Sequence, residues 1–354
     1  MLIRLSNLGA GFEAAADEPL LEAARKASLN LPHSCKGGNC GACKARLLHG
    51  EIHYPNGTPL GLSAGEVDEG LILLCQARAR SDLTLETFEF RPADEPAPKR
   101  LPCRIERVIH LSHDVAGLFL RLPAAADFSF APGQYIDILL PGGRRRSFSI
   151  ASHPAARPLE LHVRRVAGGA FSDGLFQGDA QGALLDIEGP LGQFVYRPHE
   201  QPGEAPPMLL IGGGTGIAPL LSILRHVIGA GIVRDMRLFW GVRSEQDLYA
   251  QTTLEALSRE AASYGAALKY ASVLSEPPAA WQGLSGWVHE AALAEPADLA
   301  SYEVYAAGPP QMIAAIRNEY AARAISPGRL YFDSFDYAAP DTPARQRMSA
   351  DTKS

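Results

Sequence analysis

Four of the five cysteines have the spacing of metal ligands. Three lie in one short run with the pattern C-x4-C-x2-C, and the fourth follows much later in the chain: Cys35, Cys40, Cys43 and Cys75. Plant-type 2Fe–2S clusters use this ligand spacing. Glycines inside the run let the backbone turn tightly around an inorganic core. A structural zinc site usually has two short Cys or His pairs, and here only Cys40 and Cys43 form one. The spacing therefore favours the 2Fe–2S cluster.

A second set of residues suits a flavin. Arg146, Ser147, Phe148 and Ser149 spell R-S-F-S, and Gly168-Gly169-Ala170-Phe171-Ser172 follows later. By itself the arginine run that ends at Arg146 would be a solvated turn. The later segment, however, offers free backbone N–H groups and a hydroxyl just before a helix-like stretch, and helix N-termini with close glycine approach bind phosphate. Arginine, aromatic ring, hydroxyls and glycine loop together predict a flavin and its pyrophosphate.

A third set is a glycine-rich turn between an apolar strand and an apolar helix. The turn reads Gly212-Gly213-Gly214-Thr215-Gly216. It departs from G-x-G-x-x-G because Ile217 holds the last position. The physics is the same, since glycines let the backbone approach a diphosphate and the helix dipole favours its charge. Pro219 fits the first turn of such a helix. A plain structural turn would rarely need so many glycines, so the run predicts a dinucleotide site.

The choice between NADH and NADPH is expected to depend on the segment after the second strand of this region. Arginine near that point can accommodate a 2′-phosphate, whereas a carboxylate prefers a free 2′-hydroxyl. Arg243 therefore favours NADPH, while Glu245 and Asp247 oppose it. Arg243 could equally form a loose surface ion pair with either carboxylate. The charge balance favours NADH.

Length and composition restrict the class of protein. A chain of 354 residues has room for two or three domains, and 46% hydrophobic with 20% charged residues is ordinary for a globular protein. A net charge of −6 argues against nucleic acid as a partner. No apolar run approaches the ~20 residues that a membrane span requires, and residues 1–4 do not begin a signal peptide. Cysteines committed to a cluster rather than to disulfides fit the cytoplasm, and Cys103 is expected to be an apolar strand residue.

The element pattern divides the chain into three domains. Residues 1–90 form a small α+β domain, with a predicted hairpin of Leu2–Leu5 and Gly11–Ala14 and a helix over Pro19–Ala27. The buried stripe of that helix is predicted to be Leu20, Leu21, Ala24 and Ala27. A proline-rich linker at residues 91–100 follows.

Residues 101–201 show six short strands between Pro and Gly turns, which predicts an antiparallel β-barrel. Residues 208–337 alternate strand and helix, which predicts a parallel, doubly wound α/β sheet. Helices are expected near residues 246–258 and 310–323. The tail at residues 338–354 is polar and expected to be disordered.

These motifs occur in a recognisable order. The four cysteines precede R-S-F-S, then G-G-G-T-G-I-A-P, then Gly308-Pro309-Pro310-Gln311-Met312. Over residues 1–337 the chain resembles the ferredoxin–NAD(P)H reductase superfamily, in the branch with an N-terminal plant-type ferredoxin domain. Residues 133–149 are most similar to the CDP-6-deoxy-3,4-glucoseen reductases, which serve a deoxysugar dehydrase, while near relatives serve aromatic oxygenases. The resemblance implies a β-grasp ferredoxin domain, an FAD-binding β-barrel and an NAD(P)-binding domain.

The resemblance also implies residue roles. Arg146 would bind near the flavin phosphates, Phe148 would lie along the flavin, and Ser149 would hydrogen-bond near flavin N5. Phe335 would cover the flavin until nicotinamide displaces it, so Ser149 and Phe335 are the catalytic candidates. The other cofactor contacts would come from Ser147, Gly168, Gly169, Phe171, Ser172, Gly213, Gly214, Thr215, Gly216, Arg243, Gly308 and Pro309. Two departures remove family contacts: Phe148 stands where tyrosine is common, and Ala307 where cysteine is common.

The implied function is electron transfer from NADH, through FAD and the 2Fe–2S cluster, to a partner protein that is a deoxysugar dehydrase or an oxygenase. The cofactors would carry the chemistry, and the protein would orient them. One alternative is a flavin enzyme that reduces a small molecule directly. Another is an electron-carrier module without catalysis, which the flavin and nicotinamide motifs argue against.

Overall fold

The computed structural model describes residues 1–27, 29, 31–33, 36–39, 41–62, 64–87, 98–178, 180–199, 205–295, 298–323 and 329–335. Cys35, Cys40, most of the predicted linker and the predicted disordered tail at residues 338–354 lie outside these ranges. Three large sheets account for the architecture, one in each predicted domain. No helix in the described ranges has the length and apolar composition that crossing a membrane requires.

The N-terminal domain is a five-stranded mixed sheet covered by a short helix. Strand order is β2-β1-β7-β3-β5, with β1 parallel to β7 and the other neighbours antiparallel. Its elements are β1 Leu2–Leu5, β2 Ala10–Glu13, α1 Leu20–Lys26, β3 Lys44–His49, β4 Ile52–His53, α2 Ala64–Asp68, β5 Leu71–Leu73, β6 Arg78–Ala79 and β7 Leu83–Thr87. The predicted hairpin and first helix are present. Ala27, predicted on the buried stripe, is exposed because α1 ends at Lys26, and Ala23 is buried instead.

The middle domain is a six-stranded antiparallel sheet with order β11-β10-β13-β8-β9-β12. Its elements are β8 Lys99–His110, β9 Val115–Arg121, β10 Tyr135–Leu139, β11 Arg145–Ser149, β12 Leu159–Arg164, α3 Ala170–Phe176 and β13 Leu184–Leu191. A bridge between Ile150 and Leu161 links the two edges of the sheet. The closed-barrel and β-grasp descriptions stay predictions. Cys103 lies buried in β8, where burial raises the pKa of its thiol to about 12, as expected of an apolar strand residue.

The C-terminal domain is a six-stranded, fully parallel sheet with order β17-β16-β15-β14-β18-β19. Its elements are β14 Met208–Gly213, α4 Ile217–Gly229, β15 Asp235–Val242, α5 Gln251–Ala262, β16 Ala267–Leu274, β17 Leu284–Ser285, α6 Val288–Ala294, β18 Glu303–Gly308, α7 Pro310–Ala322 and β19 Leu330–Ser334. Helices α4 and α5 share one apolar core, and α6 and α7 share another. The sheet is therefore covered on both faces, as a doubly wound domain requires.

Four elements of this domain differ from the sequence prediction. The α5 helix begins at Gln251 rather than near residue 246, because residues 245–247 form a separate short turn. Strands β17 and β19 and helix α6 were not predicted. β17 has only two residues, and the mixed polar and aromatic composition of β19 hides its strand character.

Candidate flavin, nucleotide and cluster sites

A cleft of about 70 Å³, partly open to solvent, lies where the middle and C-terminal domains meet. Its walls contain five of the predicted site residues from two domains: Ser147, Phe148, Ser149, Thr215 and Phe335. The structure adds lining residues that the sequence reasoning did not select: Tyr135, His162, Ala218, Asp333 and Ser334. Aromatic rings beside several polar groups are the kind of lining that suits an aromatic cofactor.

Asp333 is the missed residue that lies closest to the predicted chemistry. Its carboxylate is 5% exposed, and Ser149 Oγ donates to Asp333 Oδ2 at 3.5 Å. Asp333 lies near the carboxyl end of the edge strand β19. Ligands of parallel α/β sheets bind outside the carboxyl ends of the strands. Recognising β19 as a strand would have indicated this carboxylate.

The predicted aromatic contacts lie in and beside the same cleft. The rings of Phe148 and Phe171 pack with centroids 5.7 Å apart and planes tilted by 39°. Phe335 is half-buried in the cleft wall, and its backbone N–H donates to the Gly308 carbonyl at 3.3 Å. This contact brings two predicted segments of the C-terminal domain together. Phe335 and Ser149 therefore line the same cleft, and their contact with a flavin stays a prediction.

The loop at residues 168–172 differs from its prediction. Free backbone N–H groups were expected there, but the Gly168 N–H donates to Asp173 at 2.9 Å and the Gly169 N–H donates to the Val166 carbonyl at 2.9 Å. Ser172 Oγ accepts from the Val166 N–H at 3.0 Å. A Cβ at Gly169 would lie 2.8 Å from Ser172 Oγ. Gly168, Gly169 and Ser172 therefore build the turn itself, and their contact with a pyrophosphate stays a prediction.

The Arg146 guanidinium also has a local partner. It donates to the Arg145 carbonyl at 3.0 Å, and the residue is half-buried in β11. Strand β11 pairs with β10 so that Arg146 lies opposite Ile138. The role of Arg146 toward flavin phosphate stays a prediction.

The glycine-rich turn packs against the second predicted nucleotide segment. A Cβ at Gly216 would lie 2.0 Å from the Ala307 carbonyl oxygen, and one at Gly213 would lie 2.9 Å from Pro309 Cδ. Gly214 has φ +56°, in the region that favours glycine. The carboxyl ends of β14 and β18 can approach this closely only without side chains. The turn then leads directly into α4, which makes a cradle of the kind that a dinucleotide diphosphate uses.

The residues expected to choose between NADH and NADPH are arranged differently from the prediction. Asp247 is buried and forms a capping box with Ser244, so it does not face solvent near Arg243. Arg243 instead pairs with Glu276, just beyond β16, at 3.6 Å. Glu245 remains exposed on the same loop. The partner of Arg243 is thus Glu276, which follows the neighbouring strand β16, and is neither Glu245 nor Asp247.

The described part of the cluster loop is tightly wound around buried cysteines. Cys43 and Cys75 are 3% and 5% exposed and belong to one apolar cluster. Gln76 Nε2 donates to the Lys36 carbonyl at 2.9 Å, which ties the segment after Cys75 to the segment after Cys35. A Cβ at Gly38 would lie 2.7 Å from Gln76 Cγ. Close approach of the two segments fits thiolate ligation of one compact inorganic centre.

His162 connects the cleft to the boundary between the two larger domains. The ring is buried, with Nδ1 3.1 Å from the Tyr249 hydroxyl and Nε2 3.0 Å from Glu160 Oε1. Arg225 in α4 donates to the other oxygen of Glu160 at 2.6 Å. Burial opposes the ionisation of Glu160, but His162 and Arg225 outweigh it and lower its pKa to about 2. The network therefore joins the middle and C-terminal domains through an ionised carboxylate.

Three domain families match the chain in the predicted order. The 2Fe-2S iron-sulfur cluster binding domain matches residues 3–80, the oxidoreductase FAD-binding domain matches residues 102–196, and the oxidoreductase NAD-binding domain matches residues 210–318. These are called the ferredoxin, flavin and nucleotide domains from here on.

Curated relatives match almost the whole chain. CDP-6-deoxy-L-threo-D-glycero-4-hexulose-3-dehydrase reductase of Yersinia pestis is 33% identical over 334 residues, which cover 94% of this chain and 98% of the relative. The reductase subunit of an aromatic O-demethylase from Amycolatopsis is 33% identical over 343 residues, covering 96% and 100%.

Solved structures agree with the fold. The Amycolatopsis cytochrome P450 reductase GcoB superposes with a TM-score of 0.71 at 33% identity, covering 95% of this chain and 99% of that chain. The ferredoxin reductase of carbazole 1,9a-dioxygenase gives a TM-score of 0.68 at 28% identity, covering 95% and 98%. The chain therefore belongs to the family of NAD(P)H-dependent iron–sulfur flavoprotein reductases, oxidoreductases that join a 2Fe–2S ferredoxin domain to FAD- and NAD-binding domains.

Proposed function

We propose that this chain transfers electrons from NADH, through FAD and a 2Fe–2S cluster, to a partner protein. One observation supports the proposal most strongly: the flavin cleft and the cluster loop share a single buried carboxylate. Asp137 accepts from Ser147 Oγ at 2.5 Å on the cleft side and from Lys36 Nζ at 2.9 Å on the cluster side. The two proposed redox sites would thus lie on either side of one contact.

We assign each group of residues a separate role in the reaction. Bound FAD would take up a hydride as two electrons and release electrons singly, which suits a cluster that accepts one at a time. Cys35, Cys40, Cys43 and Cys75 would hold the cluster. Ser149 and Asp333 would orient and exchange the proton at the flavin edge, because they form a hydrogen-bonded pair in the cleft wall. Phe335 would exclude water from the flavin face until the nicotinamide takes its place.

The terminal acceptor is proposed from the relatives. The Yersinia relative is named as the reductase of a deoxyhexulose dehydrase, and the Amycolatopsis relative as the reductase subunit of an aromatic O-demethylase. A deoxysugar dehydrase or an oxygenase is therefore the proposed partner class. The cytoplasm is the proposed location, because a cysteine-ligated cluster fits a reducing compartment.

A matched pair of cysteine variants tests the path. Cys43 and Cys103 are equally buried, at 3% exposure each, but only Cys43 belongs to the ligand spacing. Cys43→Ser should lose iron, labile sulfide and NADH-driven cytochrome c reduction, while it still bleaches bound FAD with NADH. Cys103→Ser should retain all four properties.

The alternative is a flavin enzyme that reduces a small molecule directly, with the cluster as a side relay. In that case Cys43→Ser would lose its cluster and still reduce every acceptor at the full rate. Zinc without labile sulfide in anaerobically purified protein would exclude the cluster itself.

NADH is the proposed nucleotide. Arg243 pairs loosely with Glu276 at 3.6 Å on the surface, and Glu245 is exposed nearby, so a 2′-phosphate would meet two carboxylates beside one cation. The ratio of kcat/KM for NADH to kcat/KM for NADPH, with one artificial acceptor, measures the preference. Glu276→Gln should shift the ratio toward NADPH by releasing Arg243. A preference for NADPH in the unaltered protein would overturn the assignment.

A further inference from the structure

We propose that Lys36 and Arg317 are positioning residues that fix the cluster loop against the flavin and nucleotide domains, and so set the rate at which the cluster is reduced. The inference rests on the proposed electron path. It concerns two basic side chains that belong to neither the cofactor cleft nor the cysteine ligands. Each one crosses from one domain to another at the cluster loop.

Lys36 follows Cys35 directly and reaches into the flavin domain. Its Nζ lies 2.9 Å from Asp137 Oδ2 in β10 and 5.4 Å from the centroid of the Tyr135 ring. Tyr135 and Ser147 both line the flavin cleft, and the Ser147 hydroxyl also donates to Asp137. The contact therefore connects the first ligand segment of the cluster to the wall of the flavin site.

Asp137 lies among basic side chains that favour a fixed ion pair with Lys36. Its side chain is fully buried, and Arg25 and Arg145 lie 3.8 and 3.5 Å from the same oxygen that Lys36 contacts. Burial opposes its ionisation, but Lys36, Ser147 and Arg25 outweigh burial and hold the pKa of Asp137 below its usual range. A buried carboxylate with several fixed donors gives one defined geometry rather than a loose surface pair.

The backbone of Lys36 has a left-handed conformation, which residues with a side chain rarely adopt. Its φ of +55° lies in the left-handed region, where a side chain costs free energy. The carbonyl of Lys36 accepts from Gln76 Nε2 at 2.9 Å, next to the ligand Cys75. Lys36 is thus fixed by its side chain to the flavin domain and by its carbonyl to the second cluster segment. Strain of this kind persists only where the surroundings enforce it.

Arg317 holds the other side of the loop from the nucleotide domain. Its guanidinium, in α7, donates to the carbonyls of Asn39 at 3.0 Å, Leu60 at 3.2 Å and Gly61 at 3.0 Å. Asn39 precedes Cys40, and the Gly61 N–H donates to the Gly38 carbonyl at 2.7 Å. One side chain therefore joins three backbone groups around the loop.

The two contacts together leave the cluster loop little freedom. Electron transfer between two centres slows steeply as they move apart, so a small loss of positioning has a large kinetic effect. Neither residue lines the proposed flavin cleft. Their loss should therefore slow the step between flavin and cluster and leave hydride uptake unchanged.

The experiment compares Lys36→Met and Arg317→Gln with two matched controls. Lys99→Met removes a lysine that pairs with Asp127 on the surface of the flavin domain. Arg259→Gln removes a helix arginine that bonds the carbonyl of Glu255 in its own helix. All are prepared as full chains with FAD and cluster, mixed anaerobically with NADH, and followed at flavin and cluster wavelengths. Amide hydrogen exchange of residues 36–44 is measured on the same samples.

We expect each positioning variant to slow cluster reduction on the order of tenfold, as small misplacements of reacting groups do. Exchange in residues 36–44 should become faster, and flavin bleaching should stay within about twofold of the unaltered protein. The controls should change neither quantity. Unchanged cluster reduction or unchanged exchange in both positioning variants would overturn the proposal. If the unaltered protein never reduces its cluster, the proposed function fails, and the exchange result alone decides whether these residues hold the loop.

Discussion

The flavin domain meets its two neighbours in different ways. Toward the nucleotide domain it contributes Phe194 and Tyr196 to the same apolar cluster as the buried face of α4. Two side chains of α4 also bond flavin-domain carbonyls: Ser222 donates to Ser152 at 2.8 Å and Arg225 to Ala151 at 2.7 Å. Toward the ferredoxin domain the contacts are ionic, including Arg25 with Glu188 and Lys36 with Asp137, each at 2.9 Å.

Over the described residues the main apolar cluster of the flavin domain is separate from those of both neighbours, but only the nucleotide-domain cluster takes in flavin-domain side chains. A shared apolar core stabilises a boundary in proportion to the area removed from water. A buried ion pair adds little net stability, because desolvation offsets the attraction, but it specifies one geometry. The flavin and nucleotide domains should therefore act as one folding unit, with the ferredoxin domain as a separately folded and oriented attachment.

Removal of the ferredoxin domain should produce the largest effect that distinguishes the two boundaries. A chain that begins at Pro98 should remain soluble, bind FAD and bleach it with NADH, because the shared core is intact. It should lose NADH-driven cytochrome c reduction completely. Absorbance of the flavin and of cytochrome c measures both properties.

The matched control is a chain that ends at His199, without the nucleotide domain. It should be poorly soluble, because Phe194 and Tyr196 lose the cluster that covers them. Equal behaviour of the two truncated chains would contradict the proposed difference between the boundaries.

Glu160→Gln should produce the next largest effect, at the boundary with the nucleotide domain. The change leaves Arg225 without its ion-pair partner in a mostly buried place. We expect a loss of about 2 kcal/mol in the free energy of unfolding, below the usual cost of breaking a fully buried pair because both side chains keep some contact with water. Urea unfolding followed by tryptophan fluorescence measures it, since Trp240, Trp281 and Trp287 all lie in the nucleotide domain.

The exposed pair of Arg121 with Glu106 provides the control, and Glu106→Gln should change stability little. A similar loss of unfolding free energy in both variants would mean that the Glu160 contact stabilises the protein no more than an exposed ion pair does.

The effect of Glu160 should depend on pH in a defined direction. Its folded pKa of about 2 lies below the ordinary value of 4.5, so its contribution is complete above pH 4.5. The contribution disappears as the pH falls through that window toward 2. The stability difference between the unaltered protein and Glu160→Gln should therefore shrink over the same range. A difference that stays constant down to the lower limit would show that the charge of Glu160 is not its source.

A higher salt concentration should produce the smallest effect of these tests, measured as amide exchange in the cluster loop. Because Asp137 is fully buried, screening should reach the pair with Lys36 only weakly. In about 0.5 M salt we expect amide exchange of residues 36–44 to increase by no more than about twofold, with no change in α4. Complete release of the ferredoxin domain at that salt concentration would show that the ionic contacts are solvated.

The sequence by itself determined the features that depend on neighbours in the chain. Cysteine spacing, the glycine-rich turn and the change from short strands to strand–helix alternation are local patterns, and they predicted the three domains in their order. The family resemblance implied that the Gly212–Gly216 turn and the Gly308–Pro309 segment contact one nucleotide, and the two segments lie against each other in the structure. Local rules sufficed because backbone conformation at a glycine or the face of a helix depends mainly on nearby residues.

Only the tertiary structure decided which side chains meet. Ser149 and Asp333 are separated by 184 residues, Lys36 and Asp137 by 101, and Arg317 and Asn39 by 278. The Gly168 N–H group was predicted to be free, yet it has a partner, and Arg243 pairs with Glu276 rather than with either carboxylate on its own loop. A polar group takes its partner from whatever folding places within about 3 Å. For Ser149, Lys36 and Arg317 that placement depends on how the domains pack together, and for Arg243 it depends on neighbouring strands of one sheet. No local pattern in the sequence records either arrangement, whereas the partner of Gly168 lies within its own loop.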